Sequence, residues 1–281
     1  MTIRIATDST CDLPPEAIRE HGITVIPILI QVGSQEYRDG IDLSRAQFYD
    51  RLPGLKPPPT TAAPGIHVFQ QAYEQLAAEG ATEVLSIHIS QKLSATIDVA
   101  RQAAMETTAI PVTVFDSRQL SLGTGFQVQS AARAASAGRS MSEILAQLEG
   151  QIARTHVFAA LDTLEYMRRG GRMNGAIAAL GSLLQVKPIL KMYEGDPTAE
   201  RVRTRARAMR RLKKLLAAHA PLEQVALLHS GAEARARELL EEVRDLLPPG
   251  QIWTHEINPV LGAHIGPGVI GFACVSAQKR G

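Results

Sequence analysis

The sequence predicts a two-lobed α/β fold, and three observations carry that reading. β-rich runs alternate with helical periodicities along the chain, the pattern of sheets with helical cover. With 281 residues, the chain exceeds the roughly 100–200 residues that one domain usually organises. Two lobes are therefore expected, 1–155 and 156–281, with a mainly parallel sheet in the first and a second α/β lobe. Near the middle, Arg168-Arg169-Gly170-Gly171-Arg172 separates an apolar turn (Leu161, Leu164, Met167) from a further apolar helix bearing Ile177, Leu180, Leu183 and Leu184. Glycines admit positive φ and close approach, and the arginines add fixed charge. Such a joint suits a hinge beside a bound anion; the plainer reading is a helix-capping glycine followed by solvated arginines.

Each element follows in order. Residues 3–6 read as a strand ending in the polar loop Thr7-Asp8-Ser9-Thr10-Cys11-Asp12. Pro14 and Pro15 open a helix, where a missing N–H does no harm. A long β-rich run covers 23–32, and 33–40 reads as a hairpin or bulged turn. Ser44-Arg-Ala-Gln47 and Ser140-Met-Ser-Glu143 fit the capping box and mark helix starts. A proline-rich loop between Leu52 and Pro64 holds Thr60 and Thr61. Then come a helix near 66–79, strand 83–89, helix 95–106, strand 112–115, helices near 124–137 and 141–153, and strand 156–161. Beyond the glycine joint the pattern gives strand 188–193, helix 205–218, strand 225–229, helix 232–246 and strands 252–257 and 269–275. Mostly parallel sheets are expected, with ligands beyond the carboxyl ends of strands. That directs attention to loops 7–12, 60–61, 90–94, 116–124 and 262–268.

Composition excludes several classes. A net charge of +2 gives no global bias toward nucleic acid or anionic membrane. Cys11 and Cys274 offer neither a disulfide framework nor a zinc spacing and suit a reducing cytoplasm. The N-terminal run has no hydrophobic leader pattern, and no apolar stretch reaches the ~18 residues that span a bilayer. A soluble cytoplasmic protein is expected. Zinc-protease, Walker A and nucleophile-elbow motifs are missing from the sequence.

The loops hold hydroxyls rather than acid–base pairs. Ser94 stands as N-cap of the helix after strand 83–89, where unpaired N–H groups favour a carboxylate or phosphate; equally, it could cap only its own helix. Thr60 and Thr61 could be ordinary loop hydroxyls. Gly262-Ala-His264-Ile-Gly266-Pro-Gly268 exposes one histidine among glycines. Residues 201–214 carry eight Lys/Arg, with Val202, Ala206, Met209 and Leu212 at helical spacing. Most of these charges read as a solvated face; Arg203, ahead of the helix, stands apart. Hydroxyls, helix N-termini, arginine and one histidine fit holding an anionic group with an apolar body better than breaking a bond.

Together the ordered motifs resemble the DegV family: Thr7-Asp8-Ser9-Thr10-Cys11-Asp12-Leu13-Pro14, Asp39-Gly40-Ile41-Asp42, Pro59-Thr60-Thr61, Leu93-Ser94-Ala95-Thr96, Asp116-Ser117-Arg118, the 161–175 segment, Arg201-Val202-Arg203-Thr204 and the 262–268 loop. The resemblance covers essentially the whole chain. It implies a bacterial protein that binds one long-chain fatty acid between two lobes, without metal or cofactor. It further implies that a separate kinase uses ATP to convert the presented acid to acyl-phosphate for phospholipid synthesis, the binding protein itself having no catalytic activity. By the same resemblance Thr61 and Ser94 hydrogen-bond the carboxylate, His264 and Arg172 stand beside it, and Arg203 serves kinase engagement and acyl transfer. Two departures from the family pattern stand out, Thr61-Ala62-Ala63-Pro64 for Thr-Ser-Gln-Pro and Ala95 for glycine.

Two other classes compete with this expectation. A serine-dependent acyl hydrolase or transferase would use Ser94 with His264 as base, although no acidic orienter for the histidine is evident. A nucleic-acid module would use residues 201–214, without stacking aromatics; stable membrane insertion is not expected.

Overall fold

The computed structural model describes residues 2–173, 187–250 and 252–278. In chain order, β1 (Ile3–Asp8) leads to α1 (Pro15–His21), β2 (Thr24–Ile26), β3 (Leu29–Val32), β4 (Gln35–Arg38), α2 (Arg45–Arg51) and β5 (Thr60–Ala62). Next come α3 (Ile66–Ala78), β6 (Glu83–His88), α4 (Thr96–Glu106), β7 (Val112–Asp116), α5 (Leu122–Ser136) and α6 (Met141–Ile152). β8 (Thr155–Ala160), α7 (Glu165–Arg169), β9 (Lys187–Tyr193), β10 (Asp196–Val202) and α8 (Arg205–Ala218) follow. The chain ends with β11 (Leu222–His229), α9 (Glu233–Glu241), β12 (Trp253–Glu256), α10 (Pro259–Ile265) and β13 (Ile270–Ser276). The helix expected with Ile177, Leu180, Leu183 and Leu184 lies outside the described residues.

Three sheets result. The first, in order β2-β1-β6-β7, is parallel throughout. A second, β10-β9-β8-β13-β11-β12, is antiparallel except for the β11–β12 pair. This corrects the expectation of mostly parallel sheets for the second half of the chain. The short β4-β3-β5 sheet stands apart. The β-rich run 23–32 divides at Pro27, β2 joining the first sheet and β3 the third.

α5 explains how the two large sheets are held together. Its sequence, Leu-Gly-Thr-Gly-Phe-Gln-Val-Gln-Ser-Ala-Ala-Arg-Ala-Ala-Ser, is rich in small residues, and most of the helix is buried. A helix apolar or small on all sides belongs inside. It contacts β1 and β6 on one side and β8 and β13 on the other. One continuous core therefore joins Ile5, Leu85 and Ile87 of the first sheet to Ala226, Leu228 and Ala273 of the second. β13 shows the alternation that a sheet covered on both faces requires. Ala273 and Val275 join that inner core, while Ile270, Phe272 and Cys274 meet Leu212 and Leu216 of α8 and Leu239 of α9. α3 and α4 cover the outer face of the first sheet through Phe69, Tyr73 and Ala100.

Both expected capping boxes form. Ser44 accepts from Gln47 N–H and Ser140 from Glu143 N–H, and each N3 side chain returns to the cap residue's backbone. Loss of an N-cap hydroxyl costs about 1 kcal/mol. Ser140→Ala should thus lower the unfolding free energy by about that amount in a urea titration; an unshifted midpoint would show that the box contributes nothing.

The glycine joint is a helix terminus within the second half of the chain, and the crossing between large sheets runs through α5 and α6. Gly171 N–H donates to Arg168 C=O at 3.3 Å and Arg172 N–H to Met167 C=O at 3.0 Å, the paired bonds of a Schellman cap. Gly171 sits at φ +69°, and no atom among the described residues lies within 4 Å of where its Cβ would be, so backbone conformation is what requires glycine there. Arg168 and Arg169 both pair with Glu165. The plainer reading of this segment is correct for its helix end.

Candidate functional site

A cavity of about 630 Å³ opens between the large sheets, within the size range of small-molecule sites. Its walls are mainly aliphatic, with Ile89, Val157, Leu228, Ile257, Leu261 and Val269 among them. Thr61, Ser94, Arg172 and His264 all line it, although they are spread over two hundred residues of sequence. Arg203 does not. It is exposed, between β10 and α8, and makes no hydrogen bond or ion pair among the described residues.

Thr61 is placed by strand pairing. The loop expected between Leu52 and Pro64 contains β5, and Thr61 pairs with Ile30 of β3. Alternation leaves Thr60 and Ala62 exposed and turns Thr61 inward. Its hydroxyl lies 2.8 Å from His264 Nε2.

His264 corrects the sequence reading. The glycine-bearing stretch is largely a helix, α10, and the histidine in its last turn is buried. The helix starts where Asn258 Oδ1 accepts from Leu261 N–H at 2.9 Å, with Pro259 at the first helical position. Asn258 N–H in turn donates to Asp12 at 3.0 Å. The buried Asp12 carboxylate also accepts from Ser121 at 2.6 Å and faces Arg45 at 3.2 Å. A loop of the first sheet thereby fixes the start of the helix that carries His264. Burial, reinforced by the Arg172 charge, lowers the His264 pKa from 6.5 to about 4. The ring is neutral at pH 7, and its Nδ1 is buried without a hydrogen-bond partner among the described residues.

Ser94 sits one residue ahead of its expected place, since the N-cap of α4 is Ala95. Its hydroxyl accepts from Thr96 N–H at 3.2 Å and lies 2.8 Å from Thr96 Oγ1. The first turn of α4 and the start of α5 at Leu120 and Ser121 both border the cavity, so the positive ends of two helix dipoles lie beside it. Arg172 donates to Gly170 C=O at 2.8 Å and is otherwise exposed.

Among the described residues Ser94 makes no hydrogen bond to His264 and no carboxylate hydrogen-bonds the ring, whose recorded side-chain partner is Thr61. A serine–histidine–aspartate chain exists elsewhere, Ser86–His88–Asp8, at 2.7 and 3.0 Å. All three side chains are fully buried and Tyr73 donates to Ser86 at 2.9 Å, which makes it interior scaffolding. Burial alone would raise the Asp8 pKa; hydrogen bonds from His88, Thr10 and Ile89 N–H outweigh it and hold the carboxyl below its ordinary value. Asp8 thus ties Thr10 and Ile89, both cavity-lining, to one buried carboxylate.

The basic stretch 201–214 is split between β10 and α8. Arg205 pairs with Asp162, Arg211 with Glu200 and Lys213 with Glu242, so part of its charge is neutralised within the fold. Among the described residues no helix is long and apolar enough to cross a membrane.

Two α/β layers joined through a shared helix, with a mainly aliphatic cavity bordered by hydroxyls and helix N-termini, define a protein built to enclose an amphipathic small molecule. Sequence comparison narrows that class: a family model described as "Uncharacterised protein, DegV family" matches residues 2–277, and the chain belongs to the DegV family. A DegV domain-containing protein of Streptomyces coelicolor is 36% identical over 275 residues, covering 96% of each chain. A DegV family protein from Thermus thermophilus, whose structure is described as showing fatty acid binding, superposes with a TM-score of 0.90 at 34% identity, covering 99% of this chain and 100% of its own. DegV of Bacillus subtilis, described as a fatty acid binding protein, gives 0.89 at 32% identity, with 98% and 99% covered.

Proposed function

We propose that the protein binds one long-chain fatty acid in this cavity, between lobes formed by residues 1–155 and 156–281. On this reading Thr61, Ser94, His264 and Arg172 receive the carboxylate. The observation that carries it is the Thr61–His264 pair opening into a mainly aliphatic cavity, beside Ser94 and the first turn of α4. Each buried methylene contributes about 0.8 kcal/mol, so about fourteen supply roughly 11 kcal/mol before ordering costs. A carboxylate left without hydrogen bonds would forfeit much of that. With Nε2 protonated, neutral His264 donates to Thr61 Oγ1 and leaves the Thr61 proton free for a carboxylate oxygen. Nδ1 then carries only a lone pair, a smaller cost than a buried N–H without a partner. Neither metal nor cofactor enters this reading.

The family resemblance extends the proposal to a cytoplasmic carrier. It presents the carboxylate to a separate ATP-dependent kinase, Arg203 serving engagement, and the acyl-phosphate formed there feeds phospholipid synthesis. Arg203, exposed and without a hydrogen bond or ion pair among the described residues, supports that role, and carriage is favoured over catalysis because no carboxylate hydrogen-bonds His264 among those residues. Native and denaturing mass spectra of freshly purified protein test it. A one-to-one adduct released on denaturation as a free fatty acid is expected. An unmodified mass in both spectra, with no uptake of added fatty acid, would overturn it; turnover of acyl esters lost in His264→Ala would favour the hydrolase.

A further inference from the structure

We infer that Gly170 is a positioning residue for the ligand's head group: by having no side chain, it sets the plane of the His264 ring and thereby the direction of the Thr61 hydroxyl. Gly170 caps α7 in a right-handed conformation, φ −79° and ψ 0°, which any L-residue adopts without strain. Backbone conformation therefore does not call for glycine here, in contrast to Gly171. Space does. A Cβ on Gly170 would fall inside the contact shell of His264 Nδ1 and 3.0 Å from Cε1. The ring cannot retreat along its other axis without giving up the 2.8 Å contact between Nε2 and Thr61. Gly170 therefore closes one edge of the imidazole while Thr61 closes the opposite edge. The contact also accounts for the Nδ1 atom that is buried without a partner among the described residues.

The inference rests on the fatty-acid reading only for its affinity measurement; the ring position can be read without any ligand. The test is a double-mutant cycle, Gly170→Ala made in the native chain and again with His264→Ala, using a fluorescent long-chain fatty acid as probe. In the native background Gly170→Ala is expected to weaken binding about tenfold or more, the scale of one displaced hydrogen bond to a charged group. With His264→Ala the same substitution should change affinity less than about twofold, because the ring is gone and only the Tyr166 carbonyl oxygen, 3.2 Å from the added methyl group, stays close. Equal losses in both backgrounds would show that Gly170 acts through the helix end, and no loss in the native background would show that it positions nothing. NMR titration of His264 without ligand provides the second readout. In Gly170→Ala the ring should be forced toward solvent and its pKa should rise from about 4 toward the ordinary value near 6.5. An unmoved titration overturns the positioning even if the native protein binds no fatty acid.

Discussion

Asp39→Asn is expected to stabilise the protein by several kcal/mol at pH 8 and to leave its stability nearly unchanged at pH 4. Asp39 is 4% exposed. It begins the Asp39-Gly40-Ile41-Asp42 motif, its N–H donating to Ile28 C=O at 2.9 Å. Burial is the main reason that its pKa rises from 3.8 to about 7. A hydrogen bond with Ser9 opposes the rise, the charges of Asp12 and Asp8 add to it, and Arg45 offsets it only in part. The sign follows from proton counting. Between about pH 3.8 and 7 the folded chain retains a proton that the unfolded chain releases, so stability falls as pH rises through that window. Above it the folded state carries the whole cost of a buried carboxylate, about 4 kcal/mol for a displacement of this size. Asparagine keeps the shape and an oxygen for Ser9 and does not ionise. Urea unfolding of both proteins at the two pH values checks the expectation; a gain of the same size at pH 4 and pH 8 would show that ionisation of Asp39 is not its cause.

That result would give a physical role to a motif whose composition announces none, and it marks where the sequence stops being legible. Helices with a local signal are placed closely: both capping boxes are visible as Ser-x-x-Gln and Ser-x-x-Glu, and the periodicity of α8 fixes 205–218. Elements defined by their neighbours are missed. β10, Asp-Pro-Thr-Ala-Glu-Arg-Val, has no apolar run to mark it as a strand, yet charge and an early proline are what an exposed edge strand carries. β5 is three residues at the end of a proline-rich run and acquires its strand character from β3. For α10 a signal was present, Asn258 followed by Pro259 as cap and first helical residue, but the glycines after it masked the helix. The proposed site residues are singled out by family resemblance. Their mutual geometry is not, because the Thr61–His264 contact spans 203 positions. The reason for Gly170 lies in that same distant histidine.

Removing both hydroxyls at the head of the cavity, Thr61→Ala with Ser94→Ala, is expected to weaken fatty-acid binding more than about 100-fold. A hydrogen bond to a charged group is worth about 1.5–3 kcal/mol, and two such bonds lost together correspond to about 3 kcal/mol or more, a factor above ~100. The apolar walls are untouched by these changes, so the contribution of the buried chain should remain. A methyl ester of the same acid separates the two effects: lacking the carboxylate charge, it should bind native and doubly substituted protein with similar affinity. Thr61→Ser combined with Ser94→Thr restores both hydroxyls and should recover most of the loss. His264 matters here as well, since its Nε2 has Thr61 as partner, and Thr61→Ala alone should exceed Ser94→Ala alone in effect. Unchanged affinity for the free acid in the double variant would move the carboxylate elsewhere in the cavity. Lys92 and Lys191 also line it, but each already faces a carboxylate, Asp196 and Glu200 respectively. A fatty acid anchored there would have to displace an existing ion pair, so its affinity would depend more steeply on salt than that of an acid held by hydroxyls, a neutral imidazole and the single Arg172.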